Sequence, residues 1–254
     1  MTAIRHLNCG TLHAPPNPPA ACHCLLLEDP AGLALVDAGI GLLDVRHPLE
    51  RIGRELIDLA GFQFHEDQTA VRQFEQLGYR REDVRHVVLT HADPDHTGGL
   101  ADFPDAEVHL SGEEHQSLSR GHWRYLPAHF AHGPRWRTYL PSARRWFGLE
   151  ARPVGLGLGT EVLLVLLFGH TVGHCGVAIR QVNRWLLHAG DAYYLRAELD
   201  LDDHPVSALT ARRADDNPRR VASLEHLRRL AREHRGEIDL FGYHDFAEFP
   251  PATP

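Results

Sequence analysis

Four side chains able to bind a metal ion fall within one short run: His91, Asp93, Asp95 and His96. Imidazole nitrogen and carboxylate oxygen together suit zinc, iron or manganese. In an extended loop, residues two apart point the same way, so His91 and Asp93 can share one target. Pro94 then turns the chain, and Asp95 and His96 can face a second target a few Å away. The competing reading is a solvated polar loop, in a chain that carries 20 His.

Such a donor set needs a rigid mount. The run 87–90 (Val-Val-Leu-Thr) reads as a short buried strand, and Pro94 with Gly98-Gly99 forbids its continuation. The same order, a strand followed by His or Asp and then a turn, recurs at Asp37, His170, Asp191 and His244. The strands behind them are expected over 33–36, 161–168, 184–188 and 238–242. Each donor then sits past a strand's carboxyl end, the usual edge for ligand sites in layered α/β folds. Further strands are expected over 3–13, 22–28, 107–110 and 175–180. Helical spacing appears over 44–60 (Leu49, Ile52, Leu56, Leu59) and over 68–77 (Val71, Phe74, Leu77). It appears again over 217–234, with Val221, Leu224, Leu227 and Ala231 inward. A helix over 111–119 opens on a capping-box pattern, Ser111 with Glu114.

Residues 120–149 differ from the rest. Six Arg alternate with seven aromatic residues and no acidic one, among them Arg124, Trp123, Tyr125 and Trp136. This basic, aromatic insertion reads either as a solvated surface hairpin or as a lid over a site that selects anionic or amphipathic ligands.

Composition bounds the rest. The 254 residues suit one domain over 1–254, and the formal net charge of −8 argues against a nucleic-acid partner. No apolar run reaches the length of a membrane span. Residues 1–8 lack a basic region followed by an apolar core, so a cytoplasmic location is expected. Cys9, Cys22, Cys24 and Cys175 show no disulfide framework and are expected to be free buried thiols.

Taken in order, Asp37-Ala38-Gly39, His91-x-Asp93-x-Asp95-His96, Gly169-His170-Thr171, Gly190-Asp191 and His244 resemble the metallo-β-lactamase superfamily. The resemblance implies an αββα four-layer sandwich, with two mixed β-sheets face to face and helices outside. It also implies two divalent ions at one edge, zinc first, with iron or manganese close behind. One ion would take His91, Asp93 and His170. The other would take Asp95, His96 and His244, with Asp191 bridging. Asp37 would order the loop through hydrogen bonds.

One position departs from the family's commonest motif: position 93 usually holds His. Two divalent ions carry four positive charges, and Asp95, Asp191 and a bridging hydroxide cancel three. Asp93 cancels the last, which weakens the Lewis acid, and its extra hard oxygen favours iron or manganese.

Within the superfamily the chain resembles the lactonase-like hydrolases, in which a Tyr three residues after the bridging Asp supports the substrate carbonyl. Tyr194 stands there, with Tyr193 as a competitor. The resemblance therefore implies hydrolysis of a small-molecule ester, a lactone first, by a metal-bridging hydroxide. Asp95 would pass a proton to the leaving group. Three alternatives stay open: a non-haem di-iron oxidoreductase, a thioester hydrolase, and a ligand-binding member without turnover.

Overall fold

The computed structural model describes residues 2–250. The domain expected over 1–254 therefore extends past the described residues at both ends.

In the strand Ala20–Asp29, Leu25 and Leu27 face one way while Cys22, Cys24 and Leu26 face the other, and all five are fully buried. A strand buried on both faces belongs to the inside of a layered fold. Seven strands form the first sheet: β1 (Ala3–Leu12), β2 (Ala20–Asp29), β3 (Gly32–Val36), β4 (Phe62–Gln63), β5 (Val84–Val88), β6 (Glu107–Ser111) and β7 (Arg135–Tyr139). Their order is β4-β1-β2-β3-β5-β6-β7. Pairing is antiparallel from β4 to β3 and parallel from β3 to β7.

The second sheet holds β8 (Arg145–Trp146), β9 (Leu149–Val154), β10 (Val162–Leu166), β11 (Cys175–Arg180), β12 (Trp185–His188) and β13 (Ile238–Phe241), in the order β13-β12-β11-β10-β9-β8. Only β12 and β13 run parallel.

The two sheets stack through Leu25, Leu27, Val36 and Val88 against Val162, Leu164, Val177 and Ile179. Outside the first sheet, Phe74, Val71 and Ile52 from short helices cover Leu26, Leu35 and Val87. Outside the second, Leu224, Leu227 and Leu230 of the helix Asn217–Glu233 cover Leu163, Val165 and Leu187. Both sheets are mixed and both outer faces carry helices, as the αββα expectation requires.

Local expectations fail where a breaker overrides apolar spacing. The helix expected over 44–60 is three pieces, Leu42–Arg46, Pro48–Arg51 and Arg54–Ala60. Pro48 starts the second piece, and Gly53, at φ 87°, caps the third. Leu49 and Leu59 consequently stay exposed. Val221 is also exposed, and Leu230 takes the inward place instead. All four cysteines are free and buried, as expected.

The segment 120–149 is not a surface hairpin. It supplies β7 to the edge of one sheet and β8 to the edge of the other. Within its early part Arg124, Tyr125 and His129 are buried, while Trp123 is exposed.

Candidate metal centre

The parallel pair β3 and β5 ends side by side, which brings Asp37 beside the loop that follows Val88. Asp37 sits at φ 54°, and its carboxylate accepts from Thr90 N (2.8 Å), Thr90 Oγ1 (2.8 Å) and His96 Nδ1 (2.9 Å). Close approach explains the double glycine: a Cβ on Gly99 would collide with the Ala38 carbonyl. Across the sandwich, the parallel pair β12 and β13 delivers Asp191 and His244 to the same edge. His170 follows β10.

Three imidazoles are oriented through Nδ1. His91 Nδ1 lies 3.0 Å from Thr90 Oγ1, His96 Nδ1 is at Asp37, and His244 Nδ1 lies 2.9 Å from the Ala21 carbonyl. Each therefore turns Nε2 inward. Nε2 of His91, Nε2 of His96 and Oδ1 of Asp191 are buried without a hydrogen-bond partner. A native interior rarely leaves three such atoms side by side unless an ion belongs there.

The donors fall into two groups, His91 with His170 and Asp191, and Asp95 with His96 and His244. Within each group one donor atom per residue lies within 4.8 Å of the others. Asp191 touches both groups, with Oδ1 3.2 Å from His96 Nε2 and Oδ2 3.4 Å from His170 Nε2. Burial pushes the Asp191 carboxyl up, but the facing imidazoles of His244, His96 and His170 outweigh it and hold it well below the usual range. These donors fit a pair of divalent ions.

Asp93 belongs to this cluster with a difference. Its Oδ2 lies 3.1 Å from His170 Nε2 and 3.5 Å from His91 Nε2. Both of its oxygens also meet Arg124, at 2.6 and 2.7 Å.

Four residues support the site in roles that the sequence did not show. His174 Nε2 accepts from Asp191 N at 2.9 Å while its Nδ1 faces the Leu167 carbonyl. Burial keeps this imidazole far below its ordinary pKa, so it stays neutral. Tyr243 stacks on His96 at 3.8 Å and donates to the Asp95 carbonyl at 2.7 Å. Glu114 accepts from Ala92 N, Tyr125 Oη, Thr171 Oγ1 and Gly173 N, tying the 91–96 loop to the His170 loop. Its carboxylate does not close the expected capping box, although Ser111 Oγ does accept from Glu114 N. Glu198 accepts from Tyr194 N and fixes that backbone.

The two tyrosines separate cleanly. Tyr193 Oη donates to Glu248 at 2.9 Å, away from the donors. Tyr194 packs edge-on to His244 and His170, at 4.8 and 6.1 Å between ring centres, and lines a cavity of about 190 Å³. Asp93, Asp95, Asp191 and His244 form the floor of that cavity, and Leu12, Leu56, Leu59, Phe62, Val206 and Leu209 form its walls. No residue of 120–149 lines it. Arg124 and Tyr125 of that segment instead bond to Asp93 and Glu114.

A family model described as the metallo-beta-lactamase superfamily matches residues 17–233. The chain belongs to the metallo-β-lactamase superfamily. Within that superfamily it is 45% identical over 205 residues to a probable metallo-hydrolase of Mycobacterium tuberculosis. That match covers 78% of this chain and 64% of the relative, so it spans less than two thirds of the relative's length. An N-acyl homoserine lactonase, AttM, of Agrobacterium fabrum is 28% identical over 218 residues, covering 84% of this chain and 78% of that one. The solved structure of an N-acyl homoserine lactone hydrolase, with N-hexanoyl-L-homoserine at its catalytic metal centre, superposes with a TM-score of 0.72 at 17% identity. It covers 96% of this chain and 94% of that one, and the likeness shows the fold. Among the described residues no helix is long and apolar enough to cross a membrane.

Proposed function

We propose that this chain is a metal-dependent hydrolase of carboxylic esters, with lactones bearing an apolar substituent as the leading substrate class. One observation carries the reading: orphaned, buried donor atoms of His91, His96 and Asp191 lie in a donor cluster that floors an apolar cavity. His91, Asp93 and His170 would hold one divalent ion and Asp95, His96 and His244 the other, with Asp191 between them. Zinc is the first choice of metal. When bound, such ions supply Lewis-acid polarisation of the carbonyl and a nucleophilic water at neutral pH.

The chain's own residues do the rest. The apolar walls take the substituent and exclude water from the reacting carbonyl. Burial and the Asp191 charge raise the Tyr194 phenol well above its ordinary pKa, so it remains a donor at neutral pH. Its hydroxyl stabilises the developing oxyanion. Asp95, also lining the cavity, would take the proton that the attacking hydroxyl gives up and pass it to the departing alkoxide. The AttM likeness supports a lactone over other esters. The di-iron oxidoreductase reading rested on the extra charge and the hard oxygen of Asp93; Arg124 meets the charge, and analysis of the bound metal decides on the oxygen.

The test is a panel of lactones, esters and thioesters offered to metal-loaded protein. The expected result is lactone hydrolysis, with kcat/KM rising up to ~4-fold per added methylene while the chain still fits the cavity. Thioester turnover alone, or ligand binding without turnover, overturns it.

A further inference from the structure

The Arg124 guanidinium is one of the most heavily partnered groups in the molecule. It grips Asp93 with two parallel bonds, Nε to Oδ1 at 2.6 Å and Nη2 to Oδ2 at 2.7 Å. Its remaining nitrogen, Nη1, donates to the carbonyls of His170 (3.1 Å) and Arg213 (2.9 Å) and to Asp215 Oδ1 (2.9 Å). The residue is 4% exposed. An arginine is buried at this depth only where its charge is met, and the planar fork is the geometry that meets a carboxylate on both oxygens.

We infer that Arg124 is the counter-charge of the metal centre, so that Asp93 and Arg124 together present the first ion with a neutral ligand where the superfamily's usual motif has a neutral imidazole. This rests on the dinuclear reading above. The charge count follows directly. Asp93 alone would remove the last positive charge of a two-ion core with its two carboxylates and hydroxide. Arg124 meets that charge at Asp93 itself, while Asp215 on Nη1 draws part of the guanidinium's charge away, so the core recovers much of the Lewis acidity of a site with His at position 93.

Arg124 Nη2 also lies 3.2 Å from His170 Nε2, so the guanidinium borders the place of the first ion. Oδ2 of Asp93 is 3.1 Å from His170 Nε2 and 3.5 Å from His91 Nε2, separations expected of neighbouring donors on one ion. A carboxylate oxygen has a second lone pair for that ion while it accepts from Arg124. The fork also fixes the carboxylate plane.

The arrangement accounts for the segment 120–149. The same segment sends Tyr125 Oη to Glu114 and places His129 Nδ1 3.0 Å from Thr97 Oγ1, whose hydroxyl donates to the Asp93 carbonyl. The segment therefore holds both the side chain and the backbone of residue 93. Arg124 is a positioning residue, with no contact with substrate implied.

A double-substitution cycle tests the inference by metal content and thermal stability, neither of which depends on knowing the substrate. Asp93→His, Arg124→Gln and the double variant are purified, stripped with chelator and reloaded with zinc. Wild type is expected to hold two equivalents. Asp93→His leaves the buried guanidinium with Asp215 as its one carboxylate partner and with its fork unmet beside the ions, so it should hold about one and lose roughly 5 °C in Tm without metal. The double variant removes both charges. It should regain two equivalents and lie above Asp93→His in Tm. Should Asp93→His not give soluble protein, the double variant folding with two ions is the same result. Additive losses, with the double variant less stable than either single one and still at one equivalent, overturn the inference alone. Wild type that binds no metal, or one ion, overturns the dinuclear reading and this inference with it.

Discussion

The Asp37 carboxylate lies 2.9 Å from Nδ1 of His96, and the two side chains are fully buried. This contact fixes which imidazole nitrogen faces the donor cluster. Asp37 also holds Thr90, whose hydroxyl oxygen lies 3.0 Å from His91 Nδ1. One carboxylate therefore orients a histidine in each half of the site. Asp37→Ala is expected to weaken metal binding by roughly 10- to 100-fold, as loss of such supporting partners does elsewhere. Competition with a chromophoric chelator measures this, and unchanged affinity would refute the role.

Glu114 accepts four hydrogen bonds and faces no donor with an oxygen to spare. In Glu114→Gln an amide NH2 must point at one or more of these donors. Loss of about 2–4 kcal/mol of stability is expected, read from the urea midpoint. The loops carrying His91 and His170 should loosen together, with faster amide exchange at Ala92 and Gly173 than elsewhere.

Asp102 gives a pH dependence with a definite sign. Burial pushes its carboxyl up to about 7, Asp44 adds to the effect, and the bond from Leu42 N opposes it. In an unfolded chain the same group titrates near ~3.9. At pH values below ~4 both states are protonated and no penalty exists. Between about pH 4 and pH 7 the unfolded state loses its proton first, so stability falls as pH rises, by up to ~4 kcal/mol. Asp102→Asn keeps an acceptor for Leu42 N and removes the charge. Its urea midpoint should exceed that of wild type at pH 8, and the two should converge near pH 4. Parallel curves at both pH values would rule this out.

Tyr194 and Tyr193 make a matched pair of controls. Tyr194→Phe should lower kcat on the order of 10²-fold with metal content unchanged, because one oxyanion donor is lost. Tyr193→Phe loses its bond to Glu248 and should cost stability instead, with kcat near wild type. Equal kcat losses in the two variants would place the catalytic hydroxyl elsewhere.

Much of this site was legible in the sequence because its signals are local. His91 to His96 lie on one loop, and each remaining donor follows a strand that ends at Gly or another turn former. The sandwich was legible through the family resemblance of that motif order; the unbroken Leu25, Leu26 and Leu27, buried on both faces, is a second sign of it that the strand expectation did not use. The break in the helix over 44–60 is also written in the sequence, at Pro48 and Gly53, where the breakers override the apolar spacing.

The supporting residues were not legible by any spacing rule. Arg124 reaches Asp93 across 31 residues, and Tyr243 reaches Asp95 across 148. Nothing near position 124 says which of the six Arg in 120–149 is buried. The one available hint was Asp93 itself: a buried carboxylate in place of a neutral donor calls for a cation from somewhere.

Anomalous diffraction from metal-loaded crystals, recorded at the absorption edge of the bound metal, tests the central claim most directly. The account predicts two peaks about 3.5 Å apart, one among His91, Asp93 and His170 and one among Asp95, His96 and His244, with Asp191 between them. No peak at this edge of the sandwich, or ions bound only at a separate group such as His86, Glu107 and His109, would contradict it.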